Sequence, residues 1–527
     1  MRTTDWFLSE EERGNPDSGI PPWADGSQAT ALVHGAAYFD CLVNEVEALK
    51  AGDHLFFTDW RGDPDERMRP DGPTVADLFC RAAARGVVVK GLMWRSHLDA
   101  LQYSEEENRH LGEAIEEAGG EVLLDQRVRR GGSHHQKMVI LRHPDEPRRD
   151  VAFAGGIDLC HSRRDDDSHR GDPQAVRMNP RYGDRPPWHD VQLMLRGPVV
   201  QTLDTTFRER WHDPMPLDSE NPLAYLRDRL RHADLTPDPL PDQPPTPPPA
   251  GDHHVQVLRT YPAVRPRYAF AGHGERSIAR GYVKAIRRAR RLVYLEDQYL
   301  WSTDVARLFA DALRERPDLH LVAVVPRHPD IDGRFALPPN MVGREMALRL
   351  CRKAGGDRVH VFDVENHEST PVYVHAKVCV VDDVWASVGS DNFNRRSWTH
   401  DSELSCAVLD EERDEREPRD PAGLGDGARV FPRDLRLRLW REHRDRADGD
   451  DGDLVDPATA VPAMLSAAKA LEDWHRGGRR GPRPPGRLRP HDPERLGPLT
   501  HLWAVPAYRL IYDPDGRPIR SRLRSRF

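Results

Sequence analysis

Two short stretches carry side chains that could do chemistry together. His134-His135-Gln136-Lys137 and His375-Ala376-Lys377 each put a histidine two positions before a lysine, and each leads into an apolar run, Met138 to Leu141 and Val378 to Val381. Alternation along Tyr373 to Val381 reads as a β-strand, in which side chains two apart share a face. Two such strands side by side would gather two imidazoles and two ammoniums, a set suited to cleaving a phosphodiester. Lysine is otherwise scarce, at positions 50, 90, 137, 284, 353, 377 and 469. With 25 His in 527 residues, random placement yields about 0.3 such pairs. A lysine at both places, in an arginine-rich chain, points to a compact point charge being wanted there.

A phosphodiester resists hydrolysis because its anion repels nucleophiles and an alkoxide leaves badly. One neutral imidazole can attack phosphorus in line and form a phosphohistidine. An imidazolium opposite can protonate the departing alcohol and then activate water. Lys137 and Lys377 would hold the non-bridging oxygens. The near symmetry of the two stretches leaves open which histidine attacks.

The elements that must position these groups repeat once along the chain. In the first half a helix from Ala36 to Leu49 precedes strand His54 to Trp60, helix Val75 to Ala84, strand Val87 to Trp94, helix Glu105 to Ala118 and strand Glu121 to Leu124, and then comes the first His-x-Lys. In the second half helix Ile278 to Ala289 precedes strand Leu292 to Tyr299, helix Val305 to Arg314, strand Leu319 to Val325, helix Met341 to Ala354 and strand Val359 to Asp363, and then the second. This is duplication at the scale of a domain. The proline-rich run Thr236 to Pro249 can be neither helix nor central strand and marks the boundary. The division is an N-terminal segment (1–30), a first α/β domain (31–235), a linker (236–252), a second α/β domain (253–446) and a C-terminal extension (447–527). Asp434 to His443, at the end of the second domain, reads as a helix; in the extension, Leu454 to Trp474 reads as a helix, Arg476 to Pro493 as a flexible segment, and Trp503 to Tyr512 as a strand that docks back.

Composition excludes several classes. A net charge of −9 gives no general attraction to nucleic acid, which argues against a nuclease. No stretch approaches the roughly 18 apolar residues of a membrane span, and the start lacks a secretory apolar segment, so a cytoplasmic location, peripheral to the membrane, is expected. The six cysteines are scattered without metal spacing and read as reduced thiols. His161 to His169 could be drawn as a metal site but reads better as a solvated loop, from which Arg163 or Arg164 could reach a substrate.

The second copy, with His375, Lys377, Asp382, Gly389, Ser390, Asn392, Arg396 and Ser397, resembles the HxKxxxxD pattern of the phospholipase D superfamily, and Tyr294 to Tyr299 looks like that family's Y-x-E-x-Q-Y strand. The first copy departs at one place, where Arg142 stands instead of the motif aspartate. The resemblance covers roughly residues 30 to 445. It implies two similar α/β sandwich domains, mixed central sheets flanked by helices, packed around one active site. It also implies His135 as nucleophile, His375 as general acid/base, and Asp190 and Glu403, at matching strand starts, as hydrogen-bond partners of the histidines. Asn392, Ser390 and Asp158 would complete a phosphate cradle, with Gly156 and Gly389 in the glycine-rich segments beside it. Asp382 belongs to the catalytic motif, mainly as a structural partner. No metal or cofactor is implied. The implied substrate is a phospholipid at a membrane surface, with water or a small alcohol as acceptor. A nuclease, a phospholipid synthase or a non-catalytic lipid-binding protein are the alternatives.

Overall fold

The structure, a computed structural model, describes residues 2–95, 105–217, 236–330, 337–492, 496–518, 522 and 527. The first half contributes β1 (Ala24–Val33), β2 (His54–Asp59), β3 (Val88–Trp94), β4 (Glu121–Asp125), β5 (Met138–Arg142), β6 (Val151–Gly155), β7 (Trp188–His189) and β8 (Val191–Arg196). The second contributes β9 (His253–Tyr261), β10 (Glu275–Arg276), β11 (Leu292–Glu296), β12 (His320–Val324), β13 (Val359–Val364), β14 (Tyr373–Val374), β15 (Val378–Val381), β16 (Trp385–Gly389) and β17 (Glu403–Asp410), and β18 (Leu488–Pro490) follows from the extension.

The same strand order occurs twice. Outward from the middle, the first half runs β1-β8-β6-β5-β2-β3-β4 and the second runs β9-β17-β16-β15-β11-β12-β13, capped by β18. Each half mixes parallel pairs, such as β2 with β3 and β11 with β12, with antiparallel ones, such as β5 with β6 and β15 with β16. The fold class is the expected mixed α/β one, and the two central sheets are fused. β1 and β9 pair antiparallel, Ala24 with Val255 and Ser27 with His253, so the hydrogen-bonded path continues across the seam.

Packing follows the period-2 pattern of the strands. One sheet face carries a core common to both halves, from Ile140, Leu193 and Trp211 to Val257, Val380 and Trp440. The opposite faces carry separate cores. In the first half Phe39, Phe57 and Phe79 pack beneath helices Gly35–Glu47 and Val75–Ala84. In the second, Ile278, Leu295 and Phe309 pack beneath helices Ser277–Arg288 and Thr303–Glu315. Helix Val75–Ala84 starts where its sequence signals: the Thr74 hydroxyl accepts from Asp77 N–H, and the Asp77 carboxylate accepts from Thr74 N–H.

Three expectations are corrected. The strand expected over Tyr373 to Val381 is broken at residues 375–377, because β14 pairs with β7 in a small parallel sheet and β15 belongs to the large one. The segment from Arg476 to Pro493 is not wholly linker: Leu488–Pro490 adds an antiparallel edge strand to β13, while Pro493 lies outside the described residues. The stretch from Trp503 to Tyr512 is helical, within helix Pro498–Ala507 and the wider π turn Tyr508–Tyr512, although it does dock back, Tyr508 Oη accepting from Ser302 N–H at 2.8 Å.

Candidate active site

The fused sheet lets each half complete the other's motif. His135 N–H donates to Ser402 C=O at 2.9 Å, and His375 N–H donates to His189 C=O at 2.8 Å. Each motif is thereby laid against the segment of the opposite half that carries a carboxylate. Glu403 Oε2 lies 2.8 Å from His135 Nδ1, and Asp190 Oδ2 lies 2.6 Å from His375 Nδ1. Among the described residues no hydrogen bond engages either Nε2, which leaves both for a substrate. A tryptophan flanks each ring, Trp60 at 6.1 Å from His135 and Trp188 at 5.0 Å from His375 between centroids.

The lysines are held differently. Lys137 Nζ lies 3.3 Å from Asp158 Oδ1 and donates to His135 C=O at 3.2 Å. Lys377 Nζ donates to Gln298 Oε1 at 3.3 Å and to His375 C=O. Asp158 also faces Arg163, whose Nη2 lies 3.3 Å from Oδ2 and whose guanidinium covers Trp188 at 4.0 Å. The first lysine thus sits in a paired set of charges, and the second rests on a neutral amide. Asn392 is buried, and among the described residues its Oδ1 has no hydrogen-bond partner.

Burial sets the charge states. It holds the His135 imidazole well below its ordinary value, with Lys137 adding to the effect, and it does the same to His375 together with Lys377 and Arg163. Burial also raises Glu403, with Asp401 adding to the effect, and raises Asp190. Both rings are therefore biased to the neutral form that can attack phosphorus. Lys377 is brought down to about 8 by burial, with Lys137 nearby adding to the shift. Asp158 stays ionised, since Lys137 and Arg163 outweigh the burial that would raise it.

Several expected cradle residues are engaged by neighbouring groups of the protein. Ser390 Oγ donates to Glu403 Oε2 at 2.5 Å and accepts from Leu404 N–H at 3.0 Å, so it orients the carboxylate. Asp158 is taken up by Lys137 and Arg163. A Cβ at Gly156 would come within 2.2 Å of Asp190 Oδ1, and one at Gly389 within 2.7 Å of Leu404 C=O. These glycines make room for the segments that carry the two carboxylates. Asp382 lies at the far end of β15, where its carboxylate accepts from the N–H groups of Arg290, Arg291 and Leu292 at 2.7, 2.8 and 2.7 Å. It fixes the start of β11 and belongs outside the reacting set. Its first-half counterpart Arg142 is fully buried and holds Asp150 at 2.7 Å, Asp204 at 2.5 Å and the carbonyls of Pro244 and Pro245 at 3.1 and 2.8 Å. The replacement converts a strand anchor into a tie for the proline linker.

The expected solvated loop from His161 to His169 is largely ordered inward. His169 is wholly buried, and Asp165 accepts from Trp188 N–H at 2.8 Å and Gly171 N–H at 3.1 Å. Gln298 could have been singled out from the Y-x-E-x-Q-Y resemblance. Trp60, at the end of β2, carried no such signal. Trp385 packs in the core against Tyr282 at 5.7 Å.

Two family models match in overlapping segments, one described as phospholipase D over residues 65–324 and one as cardiolipin synthase, PLD-like domain, over 283–416. The chain belongs to the phospholipase D superfamily. Phospholipase D alpha 1 of Brassica oleracea var. capitata is 24% identical over 81% of this chain and 66% of its own length. Phospholipase D alpha 1 of Oryza sativa subsp. japonica is 28% identical over 55% of this chain and 42% of its own. The chain thus spans less than two thirds of the length of these superfamily relatives. Among solved structures, phosphatidylserine synthase of Haemophilus influenzae Rd KW20 aligns with a TM-score of 0.50 at 13% identity, covering 76% of this chain and 86% of that one, a likeness of fold.

Proposed function

We propose that this superfamily member is a phosphodiesterase of the phospholipase D type, acting on a phospholipid head-group ester through a phosphohistidine. The crossed pairing of His135 with Glu403 and His375 with Asp190 carries this reading. Neutral His135 attacks phosphorus through Nε2, and the positive charge that develops on the ring is taken up by Glu403 at Nδ1. His375, supported by Asp190, protonates the leaving oxygen. Burial disfavours that imidazolium in the free protein, and a bound phosphodiester anion favours it. Substrate entry thus arms the acid. His375 then draws a proton from water or a small alcohol, which attacks the phosphohistidine and gives phosphatidate or the exchanged phospholipid. Lys137 and Lys377 bear on the non-bridging oxygens, with the Asn392 amide beside them.

A lipid surface as the place of action is supported by exposed apolar side chains on one C-terminal segment. Leu499, Leu502, Leu510 and Ile511 are exposed, and Ile511 C=O accepts from Arg396 Nη1 at 3.0 Å. The same arginine donates to Gly131 C=O at 2.6 Å, in the turn leading to His135. The apolar segment is therefore tethered beside the first motif. No helix among the described residues is long and apolar enough to cross a membrane.

The test is incubation with phosphatidylcholine vesicles and ethanol. Phosphatidylethanol is the expected product, and cleavage of DNA with the lipid untouched would replace the lipid reading with the nuclease one.

A further inference from the structure

Four side chains from four separate segments converge behind the junction of β7 and β8, where Asp190 lies. His34 follows β1, His169 closes the loop before β7, His189 is the residue before Asp190, and Glu442 lies in the last turn of helix Val430–His443. Their ligand-type atoms all lie within 4.8 Å of one another. The Glu442 carboxylate is the hub: His34 Nε2 lies 2.8 Å from it, His169 Nε2 2.9 Å and His189 Nδ1 3.3 Å. All three histidines are buried, and the Glu442 side chain is 10% exposed.

The outer ring nitrogens fix the tautomers. His169 Nδ1 lies 3.1 Å from the backbone carbonyl of Trp188, which can only accept, so that nitrogen carries the proton. His189 Nε2 lies 2.7 Å from Glu296, a carboxylate that also takes His443 Nε2 at 2.7 Å and the Tyr294 hydroxyl at 2.5 Å. In the neutral rings, the inward nitrogens of His169 and His189 then present lone pairs to the lone pairs of Glu442. Something positive has to lie between them, either a second proton on each ring or a cation.

Two further observations favour the cation. An imidazole whose outer N–H is held by a carboxylate or a backbone carbonyl is the arrangement that orients metal-binding histidines. The backbone is also forced at two of the three: His34 has φ 70° and ψ 156°, and His169 has φ 52°. Conformations of this kind persist where the surroundings over-determine them. The rings fan around the carboxylate, with interplanar angles of 84° between His34 and His169 and 72° between His34 and His189. A tetrahedral ion with bonds of about 2.0–2.2 Å needs its ligand atoms about 3.3–3.6 Å apart, an outward relaxation of about half an ångström from the short contacts.

We propose that His34, His169, His189 and Glu442 bind one divalent zinc-type ion in a closed site. Three imidazoles and one carboxylate, without thiolates and with four protein donors, suit tetrahedral zinc in a structural role. The ion would tie the first half to helix Val430–His443 and fix the strand that presents Asp190 to His375. This departs from the expectation of a metal-free protein, which concerned the chemistry at His135 and His375. That chemistry still passes through no ion.

The experiment measures metal on the full chain by elemental analysis. It is followed by chelator dialysis and titration with Co2+, which shows intense visible absorption when tetrahedral. About one equivalent of zinc, and tetrahedral Co2+ bands that saturate at one equivalent, are expected. His34→Ala and Glu442→Gln should abolish the bands in protein whose circular dichroism is unchanged. Where a variant fails to fold, the stoichiometry of the unsubstituted chain decides alone. A folded chain that carries no ion and takes up neither Zn2+ nor Co2+ would overturn the proposal and leave paired imidazoliums in its place. The readout is metal content, so it stands apart from phosphodiesterase activity.

Discussion

The two halves share one strand order, yet they handle charge in opposite ways. The first half surrounds its lysine with compensating groups: Asp158 faces Lys137, and Arg163 faces Asp158. Beside them the Asp59 carboxyl is pushed up by burial and by Asp158. The second half sets Lys377 against the neutral Gln298 amide and the His375 carbonyl, and among the described residues Asn392 Oδ1 has no hydrogen-bond partner. The motif's eighth position differs too, an arginine tied to the linker in one half and an aspartate on backbone N–H groups in the other. A duplicated frame can thus keep its geometry while its two copies divide the electrostatic labour, one pre-neutralised and one reserved for the incoming anion.

The sharpest way to break this comparison is to remove each histidine in turn. His135→Asn and His375→Asn should each lower kcat by at least about 10^4-fold, since residues that act as one unit fail together. With an aryl phosphodiester, whose leaving group needs no proton, labelled phosphate should accumulate on His135 in the His375→Asn protein. Label on His375 in the reciprocal variant would reverse the assignment.

Next in size is the motif's eighth position, read by thermal or denaturant unfolding. Arg142→Asp adds a third carboxyl group beside Asp150 and Asp204 and removes the buried cation they share, leaving Arg208 on Asp204, and should cost about 3–5 kcal/mol. Asp382→Ala leaves three strand N–H groups unpaired and should cost about 1–3 kcal/mol. Equal losses would mean that the two positions are equivalent after all.

The charge asymmetry predicts a pH effect. Lys377, with its ammonium brought to about 8 by burial, loses charge as pH rises through that value, and kcat/KM for an anionic substrate should fall there. Gln298→Glu would copy the first half's arrangement and should move this alkaline limb up by about 1–2 units. An unmoved limb would assign it to another group. Smallest is Ser390→Ala, which frees Glu403 of one hydrogen bond and should lower kcat about tenfold, or about 1.4 kcal/mol, with KM little changed.

Much of this was legible in the residues, and the boundary is physical. Helix Val75–Ala84 lies where its periodicity and capping residues put it, and strands β2, β3 and β4 fall within a residue or so of expectation. The paired His-x-Lys stretches were visible, as were Asp190 and Glu403. Which carboxylate serves which histidine was not, because the partners lie 268 and 185 residues apart and meet only through the seam. Pro506 hid the C-terminal helix. Proline removes a helical N–H, and the turn after it widens into the π form at Tyr508–Tyr512. His34 and Glu442 gave no sign, since neither lies in a motif and their meeting depends on the packing of a helix near the far end of the chain.

The antiparallel pairing of β1 with β9 carries a consequence for ancestry. Because each motif imidazole leans on an acid from the other repeat, one repeat alone would own a base with nothing to steady it. A lone unit of this design could assemble a working centre only by meeting a twin about the same axis, so symmetric association would precede the joining of two copies in one polypeptide. The proline-rich tether held by Arg142 is then a later addition that made the partnership permanent.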